Sequence, residues 1–226
     1  MRVCALAVAL VAAALALPSG SRVAAQQPGV VRGRVVIDIP VPSRRPTSAY
    51  PTRTITPATL ASASEVRHVV IFLKGATAQA APPVRREIRQ HNEQFIPRVV
   101  AVSVGSEVTF PNDDPFYHNV FSLSRIRSFN LGRYPKGQTR TVKFDKPGIV
   151  KVFCDIHSHM TATVRVFDHP WFTVPDENGN FELSGLPPGA REVTAWHERL
   201  GDTTLPVRVE GGRAATVDFV LPVPAQ

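Results

Sequence analysis

The sequence predicts an all-β protein, built as a Greek-key β-sandwich or barrel together with a second, smaller β unit. Its 226 residues are 43% apolar, enough for one large domain or two small ones with packed cores. With 21 Pro and 14 Gly, the composition favours short strands and turns over long helices. From residue 97 onward, apolar and polar residues alternate in short runs that end at turn residues. An all-helical bundle is therefore excluded.

Residues 1–25 have the pattern of a secretory signal peptide. Arg2 precedes an uninterrupted apolar stretch, and small residues follow it up to position 25. The alternative is a membrane anchor, but the apolar run is shorter than the ~20 residues that span a bilayer. Cleavage would leave Cys154 and Met160 as the only Cys and Met of the exported chain. We expect a periplasmic or secreted protein with no membrane span after signal cleavage.

Residues 26–93 contain two predicted strands, Val30–Ile39 and Val66–Leu73. Between them lies Pro40–Ser64, a segment rich in Pro, Ser and Thr that is expected to be a loop. The two strands can complete either the domain that follows or the C-terminal unit. In the second arrangement, the domain between them would be an insertion.

Residues 94–168 are predicted to form one compact β domain, because period-two runs alternate with turn residues such as Lys146-Pro147-Gly148. The predicted strands are Arg98–Val104, Val108–Phe110, Asn119–Leu123, Thr139–Phe144, Ile149–Phe153 and Ala162–Phe167. This order of short strands is typical of a Greek-key sandwich or barrel.

Residues 169–226 are predicted to form the smaller β unit. The segment from Asp176 to Gly179 is a hairpin turn, since Asn and Gly accept positive φ. The predicted strands are Trp171–Val174, Phe181–Leu183, Arg191–Trp196, Leu205–Val209 and Ala215–Leu221.

The charge distribution bears on the partners. The formal net charge is +8, and basic residues are in excess up to residue 168 but in deficit after it. Such asymmetry can hold two parts of one molecule together or steer an acidic protein partner, although ordinary solvated faces explain it equally well. The basic residues are dispersed and match no nucleic-acid-binding motif, so no nucleic-acid partner is expected.

The densest chemical signal is Cys154-Asp155-Ile156-His157-Ser158-His159-Met160, which lies between two predicted strands. Thiolate, imidazole and thioether recur at every third position, so one loop can turn all three donors toward a single point. His118, in an upstream polar loop, supplies a second imidazole. Two imidazoles and a thiolate with a long axial thioether form a type 1 blue copper centre. We predict one copper ion held by His118, Cys154, His157 and Met160.

Other centres fit these residues less well. Zinc accepts Cys and His, but a thioether is a poor zinc ligand. A thiolate-bridged pair of copper ions needs a second Cys, and a multicopper oxidase needs several His-x-His pairs, whereas only His157-Ser158-His159 occurs. Cysteine-hydrolase chemistry would use Cys154 with a His base but gives Met160 no role. No catalytic residue is assigned, and the chain is expected not to be an enzyme.

The region from about Phe95 to Phe167 resembles the cupredoxins, in particular plastocyanin, pseudoazurin and amicyanin. The matching elements are Phe95-x-Pro97, Gly105-x-x-Val108, Pro111-Asn112-Asp113, His118-Asn119-Val120, Lys146-Pro147-Gly148 and Cys154-x-x-His157-x-x-Met160. The resemblance implies a Greek-key β-sandwich with copper near one end and the same four ligands. It also implies that Asn119 ties the two ligand loops together and tunes the sulfur.

Two positions depart from the usual cupredoxin pattern. Cupredoxins often have Ser or Thr after the Cys and Pro before the loop His, where this chain has Asp155 and Ile156. An anion beside the thiolate is expected to favour Cu(II) and to lower the reduction potential. His159 adds an imidazole near the site, which we expect to be exposed and outside the ligand set, with replacement of Met160 as axial donor as the alternative.

The tail from Phe172 to Leu221 resembles the carboxypeptidase regulatory-like, prealbumin-type β-sandwich. The resemblance rests on Asp176-x-x-Gly179-x-Phe181-x-Leu183 and Leu186-Pro187-Pro188-Gly189. It implies a fold and says little about function. The whole layout is similar to exported plastocyanin-like proteins labelled as methylamine-utilisation-related, although no methylamine chemistry can be read from these residues.

The sequence therefore favours an exported one-electron carrier in which a copper ion alternates between Cu(II) and Cu(I) and electrons pass through His157 to docked protein redox partners. Two alternatives stay open. The site can bind and deliver copper without turnover, or the C-terminal sandwich can be a partner-binding module beside a degenerate site.

Overall fold

The computed structural model describes residues 27–38 and 63–222 of the chain. In chain order, the elements are β1 Gly29–Asp38, α1 Ala63–Val66, β2 Val69–Leu73, β3 Arg85–Glu87, β4 Arg89–His91, β5 Gln94–Ile96, β6 Val99–Ser103, β7 Ser106–Pro111, β8 His118–Ser124, β9 Arg127–Tyr134, β10 Thr139–Phe144, β11 Gly148–Phe153, β12 Thr161–Phe167, β13 Phe172–Thr173, β14 Asn180–Leu186, β15 Gly189–His197, β16 Gly201–Val209, β17 Ala214–Thr216 and β18 Phe219–Pro222. The expected signal peptide and most of the predicted loop Pro40–Ser64 lie outside the described residues.

The described chain is nearly all β, which confirms the predicted fold class. Its strands form two units. The central unit, residues 85–167, has a five-stranded sheet in the order β6-β12-β11-β8-β9, a three-stranded sheet in the order β10-β7-β3, and the hairpin β4-β5. The outer unit has one sheet in the order β14-β1-β17, with β18 also on β1, and a second in the order β13-β2-β15-β16. No helix among these residues is long and apolar enough to cross a membrane.

The central unit has an apolar core between its sheets. In β10, Val142 and Phe144 are buried and Lys143 between them is exposed, because successive side chains of a strand point to opposite faces. Cys154 and Met160 belong to the same buried cluster as these two residues. The predicted soft ligands therefore lie where the core meets the end of the five-stranded sheet.

The N-terminal strands complete the outer unit. Strand β1 pairs antiparallel with β14 and parallel with β17 and β18. Strand β2 pairs antiparallel with β15 and with β13. The structure thus has the second of the two arrangements considered above, with the central unit inserted between β2 and β13. The segment 26–93 is shared, since β3 and β4 already belong to the central unit.

A cluster of rings around Arg165 joins the two units. The Arg165 guanidinium lies 4.3 Å from the ring centroid of Phe72 and 4.6 Å from that of Trp196, both on the outer unit. It also lies 5.3 Å from the ring centroid of Phe167 on its own strand. Burial lowers the pKa of Arg165. Because a cation over an aromatic face is attracted by the ring quadrupole, Arg165 stabilises this joint.

Strand β9 has no counterpart among the predicted strands. It pairs with β8 at the edge of the five-stranded sheet, and most of its side chains are exposed. Only Tyr134, at its end, is fully buried. A strand that faces solvent on most of its length lacks the apolar alternation on which the prediction depends.

Replacing Tyr134 with Phe is expected to lower the free energy of unfolding by about 1–3 kcal/mol, the usual cost of leaving buried polar groups unpaired. The buried Tyr134 hydroxyl donates to the Phe110 carbonyl oxygen at 2.8 Å and accepts from Gln90 Nε2 at 2.6 Å. Burial raises the pKa of Tyr134 far above its usual range, so the hydroxyl stays a donor. Urea unfolding of the metal-free protein measures the effect. Tyr117→Phe, at an exposed ring, is the control, and equal midpoints for both variants would contradict the expectation.

Candidate metal centre

The segment from Cys154 to Met160 closes the hairpin between β11 and β12. Phe153 pairs with Thr161 at the end of the ladder, which brings the residues on either side of the loop together. The Cys154 N–H donates to the Met160 carbonyl oxygen at 3.4 Å, and the Met160 N–H donates to the His157 carbonyl oxygen at 3.0 Å. The loop therefore turns back on itself, with Cys154 and Met160 buried and His157 half-buried.

His118 reaches the same point from the neighbouring strand. It is the first residue of β8, and β8 pairs antiparallel with β11 at Phe121 and Phe153. This register places the start of β8 beside the loop that follows β11. The His118 side chain is fully buried.

Three donor atoms converge between these elements. His118 Nδ1 lies 3.9 Å from Cys154 Sγ, His157 Nδ1 lies 4.0 Å from Cys154 Sγ, and the two Nδ1 atoms are 3.1 Å apart. A triangle with these sides has a circumscribed circle of radius about 2.1 Å, which is within the range of metal–nitrogen and metal–thiolate bonds. The three atoms are therefore close enough together that one ion would be within bonding distance of all of them.

Of the four predicted ligands, the structure brings His118, Cys154 and His157 into one group. The Met160 side chain is buried in the same apolar cluster as Cys154. A soft thiolate and two imidazoles match the preferences of copper, which binds sulfur as Cu(I) and imidazole as Cu(II), and a thioether in the same loop adds a second soft donor type. The residues present fit a copper ion.

A buried carboxylate lies behind His118. Asp114 Oδ2 is 2.8 Å from His118 Nε2, and both side chains are almost fully buried. Burial tends to raise the pKa of Asp114, but the Glu93 N–H, the His118 ring and the Asn92 N–H hold it below its ordinary value. An ionised carboxylate only accepts, so this contact is a hydrogen bond when the proton is on Nε2, and Nδ1 then keeps its lone pair for a metal.

Asn119 lies next to His118, but its side chain makes a different contact from the expected tie between the ligand loops. Its Nδ2 donates to Asn130 Oδ1 on β9 at 2.8 Å. Asn130 Oδ1 also accepts the Gly132 N–H, which establishes it as the oxygen. The Asn119 side chain thus links β8 to the edge strand, and its own buried Oδ1 has no partner among the described residues.

The charge of Asp155 has a nearby counterpart. Its Oδ2 lies 3.2 Å from Nη2 of Arg133, and both side chains are substantially exposed. An exposed ion pair of this kind is weak, but it offsets part of the field that Asp155 exerts on the neighbouring thiolate. The expected lowering of the reduction potential by Asp155 is correspondingly reduced.

His159 lies at the surface of the loop. Its side chain is 61% exposed, and its Nε2 is 3.5 Å from Glu93 Oε2 on the turn between β4 and β5. The centroid of its ring is 6.1 Å from that of His157. His159 is not among the three grouped donors.

An exposed aromatic side chain lies beside the half-buried His157 at the surface. The Phe116 ring lies 5.6 Å from the His157 ring and 5.2 Å from the His118 ring, measured between centroids. Phe116 and Ile156 are about two-fifths exposed, and Tyr117 is more exposed still. His157 therefore stands at the boundary between the donor group and an apolar area of the surface.

Sequence reasoning did not assign a role to Asp114 or Arg133. Asp114 lies in the polar loop four residues before His118, beside a second acid, Asp113. The spacing alone does not distinguish the two acids, because which of them faces the ring depends on the conformation of the loop. Arg133 lies on the edge strand β9 and had no signal of its own.

A second cluster of possible metal ligands, separate from the group of three donors described above, consists of Glu65, His68 and His197. Glu65 Oε2 lies 3.1 Å from His68 Nδ1 and 3.2 Å from His197 Nε2. His197 Nδ1 accepts the backbone N–H groups of Arg199 and Leu200. The proton of this ring is therefore on Nε2, where it donates to Glu65, and no lone pair there is free for a metal. The cluster ties α1 to the end of β15.

Because of this cluster, we expect the protein to lose stability as the pH falls below about 6.5, the ordinary pKa of His. Burial lowers the pKa of His197 despite the hydrogen bond to Glu65, so the unfolded chain binds more protons in that range and unfolding is favoured. Glu65, whose pKa is also lowered even though burial opposes this, adds its loss of stability only further down, below about 4.5. Urea unfolding at pH 7.5 and 5.5 measures the difference.

His197→Gln is expected to reduce that pH dependence but not to abolish it, because burial also lowers the pKa of His169. His91→Gln, which removes an imidazole from an exposed position, is the matched control. A pH dependence in His197→Gln equal to that of the control would contradict the assignment.

No protein-family model matches the chain, and neither does any curated protein. Among solved structures, it is similar to the Cu-containing nitrite reductase from Thermus scotoductus SA-01, at 27% identity and a TM-score of 0.35 over 42% of this chain and 24% of that one. It is also similar to a purple cupredoxin from Nitrosopumilus maritimus, at 25% identity and a TM-score of 0.33 over 36% of this chain and 98% of that one. It is similar as well to amicyanin from Paracoccus versutus, at 21% identity and a TM-score of 0.34 over 43% of this chain and 97% of that one.

The chain spans about a quarter of the length of the nitrite reductase, and all three TM-scores are below 0.5. These likenesses carry no functional conclusion, and the donor group itself is the feature that bears on function. The fold and the site together define an all-β protein with a candidate His–Cys–His copper centre at one end of its central unit.

Proposed function

We propose that this protein is an exported type 1 copper protein that carries single electrons between protein partners. One observation carries the proposal: His118 Nδ1, Cys154 Sγ and His157 Nδ1 lie 3.1–4.0 Å from one another. These three residues would hold one copper ion, and Met160 would serve as a fourth, weaker ligand. When bound, the ion supplies one-electron chemistry between Cu(II) and Cu(I).

The protein's own residues prepare this site. The β11-β12 hairpin and the start of β8 hold the three donors in a group that suits both oxidation states, so little rearrangement accompanies electron transfer. Burial of His118, Cys154 and Met160 excludes water from the thiolate. The contact of His118 with Asp114 leaves the Nδ1 lone pair directed at the donor group.

In the proposed route, the electron leaves through the ring of His157, the half-buried ligand. The exposed apolar side chains around it, Phe116 and Ile156, give a partner protein a surface from which water is readily displaced. The positive net charge supports acidic redox partners, and the signal-like residues 1–25 support a periplasmic or secreted location.

The visible and EPR spectra of the copper-loaded protein test the proposal. The expected result is intense thiolate-to-Cu(II) absorption from one copper ion per chain, with a small copper hyperfine splitting. A reversible one-electron wave with fast self-exchange supports an electron carrier, whereas copper binding without reversible redox cycling supports copper delivery instead. Stoichiometric zinc binding in preference to copper would overturn the assignment of the metal.

A further inference from the structure

Asp114 combines a buried negative charge with a direct contact to one of the three grouped donors. Its side chain is 4% exposed and that of His118 is fully buried, with 2.8 Å between Oδ2 and Nε2. Among the described residues, no Lys or Arg nitrogen lies within ion-pair distance of Asp114. A buried carboxylate without a cationic partner is costly unless something else compensates the charge.

Backbone groups of the β4-β5 turn hold this carboxylate in place. Asp114 Oδ1 accepts the Asn92 N–H at 2.7 Å, and Oδ2 accepts the Glu93 N–H at 3.0 Å. Asn92 and Glu93 both have positive φ, 51° and 54°, and in this conformation the N–H groups of both residues reach the Asp114 carboxylate. The Asp114 N–H itself donates to Asn112 Oδ1 at 2.9 Å. The first two contacts restrain the carboxylate and the third restrains the Asp114 backbone, so the position of the carboxylate behind His118 is specified independently of the ring.

The carboxylate has two consequences for His118. It keeps the ring proton on Nε2, so that Nδ1 faces Cys154 and His157 with a free lone pair. It also prevents rotation of the ring, because turning it would leave a buried charge unpaired. His197 has its proton on Nε2 as well, but its Nδ1 accepts the backbone N–H groups of Arg199 and Leu200, so no lone pair is left for a metal.

We propose that Asp114 is a positioning residue for the copper site: it sets the tautomer and orientation of His118 and, through the imidazole, favours Cu(II) over Cu(I). The bias toward Cu(II) rests on the proposed function, whereas the tautomer and orientation of His118 concern the protein without metal. A carboxylate that accepts from a ligating His raises the basicity of that ligand, and a more basic ligand stabilises the more highly charged ion.

The first test needs no variant and no metal. Nitrogen-15 NMR of the imidazoles in the metal-free wild-type protein at pH 8 distinguishes the two ring nitrogens of His118. The expected result is a protonated Nε2 and an unprotonated Nδ1. A His118 ring protonated on Nδ1 would overturn the proposal even if the copper spectrum is that of a type 1 site. The same tautomer with a copper spectrum of another kind would count against the proposed function only.

The second test compares Asp114→Asn with Asp113→Asn. The control removes the same charge from the adjacent residue, whose carboxylate is paired with Arg89 and not with His118. We expect the Cu(II) affinity of Asp114→Asn to fall 10- to 100-fold, the usual effect of losing a partner of a metal-ligating His. The Cu(I) affinity should fall less, and each tenfold difference raises the reduction potential by 59 mV. Asp113→Asn should change neither affinity more than about threefold.

Equal losses of Cu(II) and Cu(I) affinity in Asp114→Asn would mean that the carboxylate only maintains the fold, and the proposed bias toward Cu(II) would be rejected. The same holds if Asp113→Asn raises the potential as much as Asp114→Asn does. If Asp114→Asn does not fold, the tautomer of His118 in the wild-type protein decides the proposal.

Discussion

Replacing Cys154 with Ser is expected to abolish the intense visible absorption of the copper-loaded protein. The absorption of a type 1 site arises from charge transfer between the thiolate and Cu(II), and a hydroxyl cannot supply it. Cys154 Sγ is also the only sulfur among the three grouped donors, so its loss removes the soft ligand that favours copper. We expect copper binding to weaken at least tenfold, and absorption spectroscopy with copper titration measures both effects.

The fold should survive this substitution. Ser is nearly isosteric with Cys, and Cys154 lies at the end of the core, where the loop and two imidazoles surround it. Circular dichroism of the metal-free variant checks this point. Ser158→Ala, in the same loop but outside the donor group, is the matched control and should keep the wild-type spectrum. An unchanged visible spectrum in Cys154→Ser would refute the assignment of the thiolate.

Much of this site could be predicted from local sequence. Cys154, His157 and Met160 lie in one short loop, and chemistry alone relates a thiolate, an imidazole and a thioether to one metal. Strands of the central unit could also be predicted, as in β10, where the predicted bounds Thr139–Phe144 equal the observed ones. The distant donor, His118, is predicted as an imidazole available in an upstream polar loop, and the cupredoxin resemblance implies the same residue.

The features that sequence could not specify depend on contacts between distant segments. Asp114 faces His118 because the β4-β5 turn offers two N–H groups to its carboxylate, and nothing in the local sequence distinguishes it from Asp113. Likewise, the assignment of β1 to the outer unit depends on pairing across 140 residues or more, for example between Val31 and Leu183. Alternation predicts that a strand exists but not which strand it joins.

The C-terminal edge of the outer unit shows a further limit. The sequence predicts one strand from Ala215 to Leu221, whereas the structure has two, β17 and β18, separated at Val217 and Asp218. Both pair in parallel with β1, and the interruption lies opposite Gly33. The Val217 N–H donates to the Arg32 carbonyl oxygen, and Asp218 Oδ1 accepts the Arg34 N–H. The chain bends inward here because Gly33 has no side chain.

Replacing Gly33 with Ala is therefore expected to destabilise the outer unit by about 3 kcal/mol or more, the upper range for overpacking. A Cβ at this position would overlap the Val217 carbonyl oxygen and lie 2.6 Å from its carbonyl carbon, and both atoms are backbone atoms that cannot rotate away. The backbone of Gly33 does not have positive φ, so conformational entropy alone would favour Ala by about 0.4–1 kcal/mol. The overlap with the Val217 backbone costs more free energy than this entropic gain, so Gly33→Ala is expected to destabilise the protein.

Tryptophan fluorescence during urea unfolding measures the effect, because the two Trp residues of the chain, Trp171 and Trp196, both lie in the core of the outer unit or at its joint with the central unit. Val36→Ala, at an exposed position on the same strand, is the control and should shift the midpoint only slightly. If Gly33→Ala unfolds at the wild-type urea concentration or above it, the inward bend at Val217 does not constrain β1. Gly33 lies in the outer unit, whereas His118, Cys154 and His157 all lie in the central unit, so this test does not bear on the candidate metal centre.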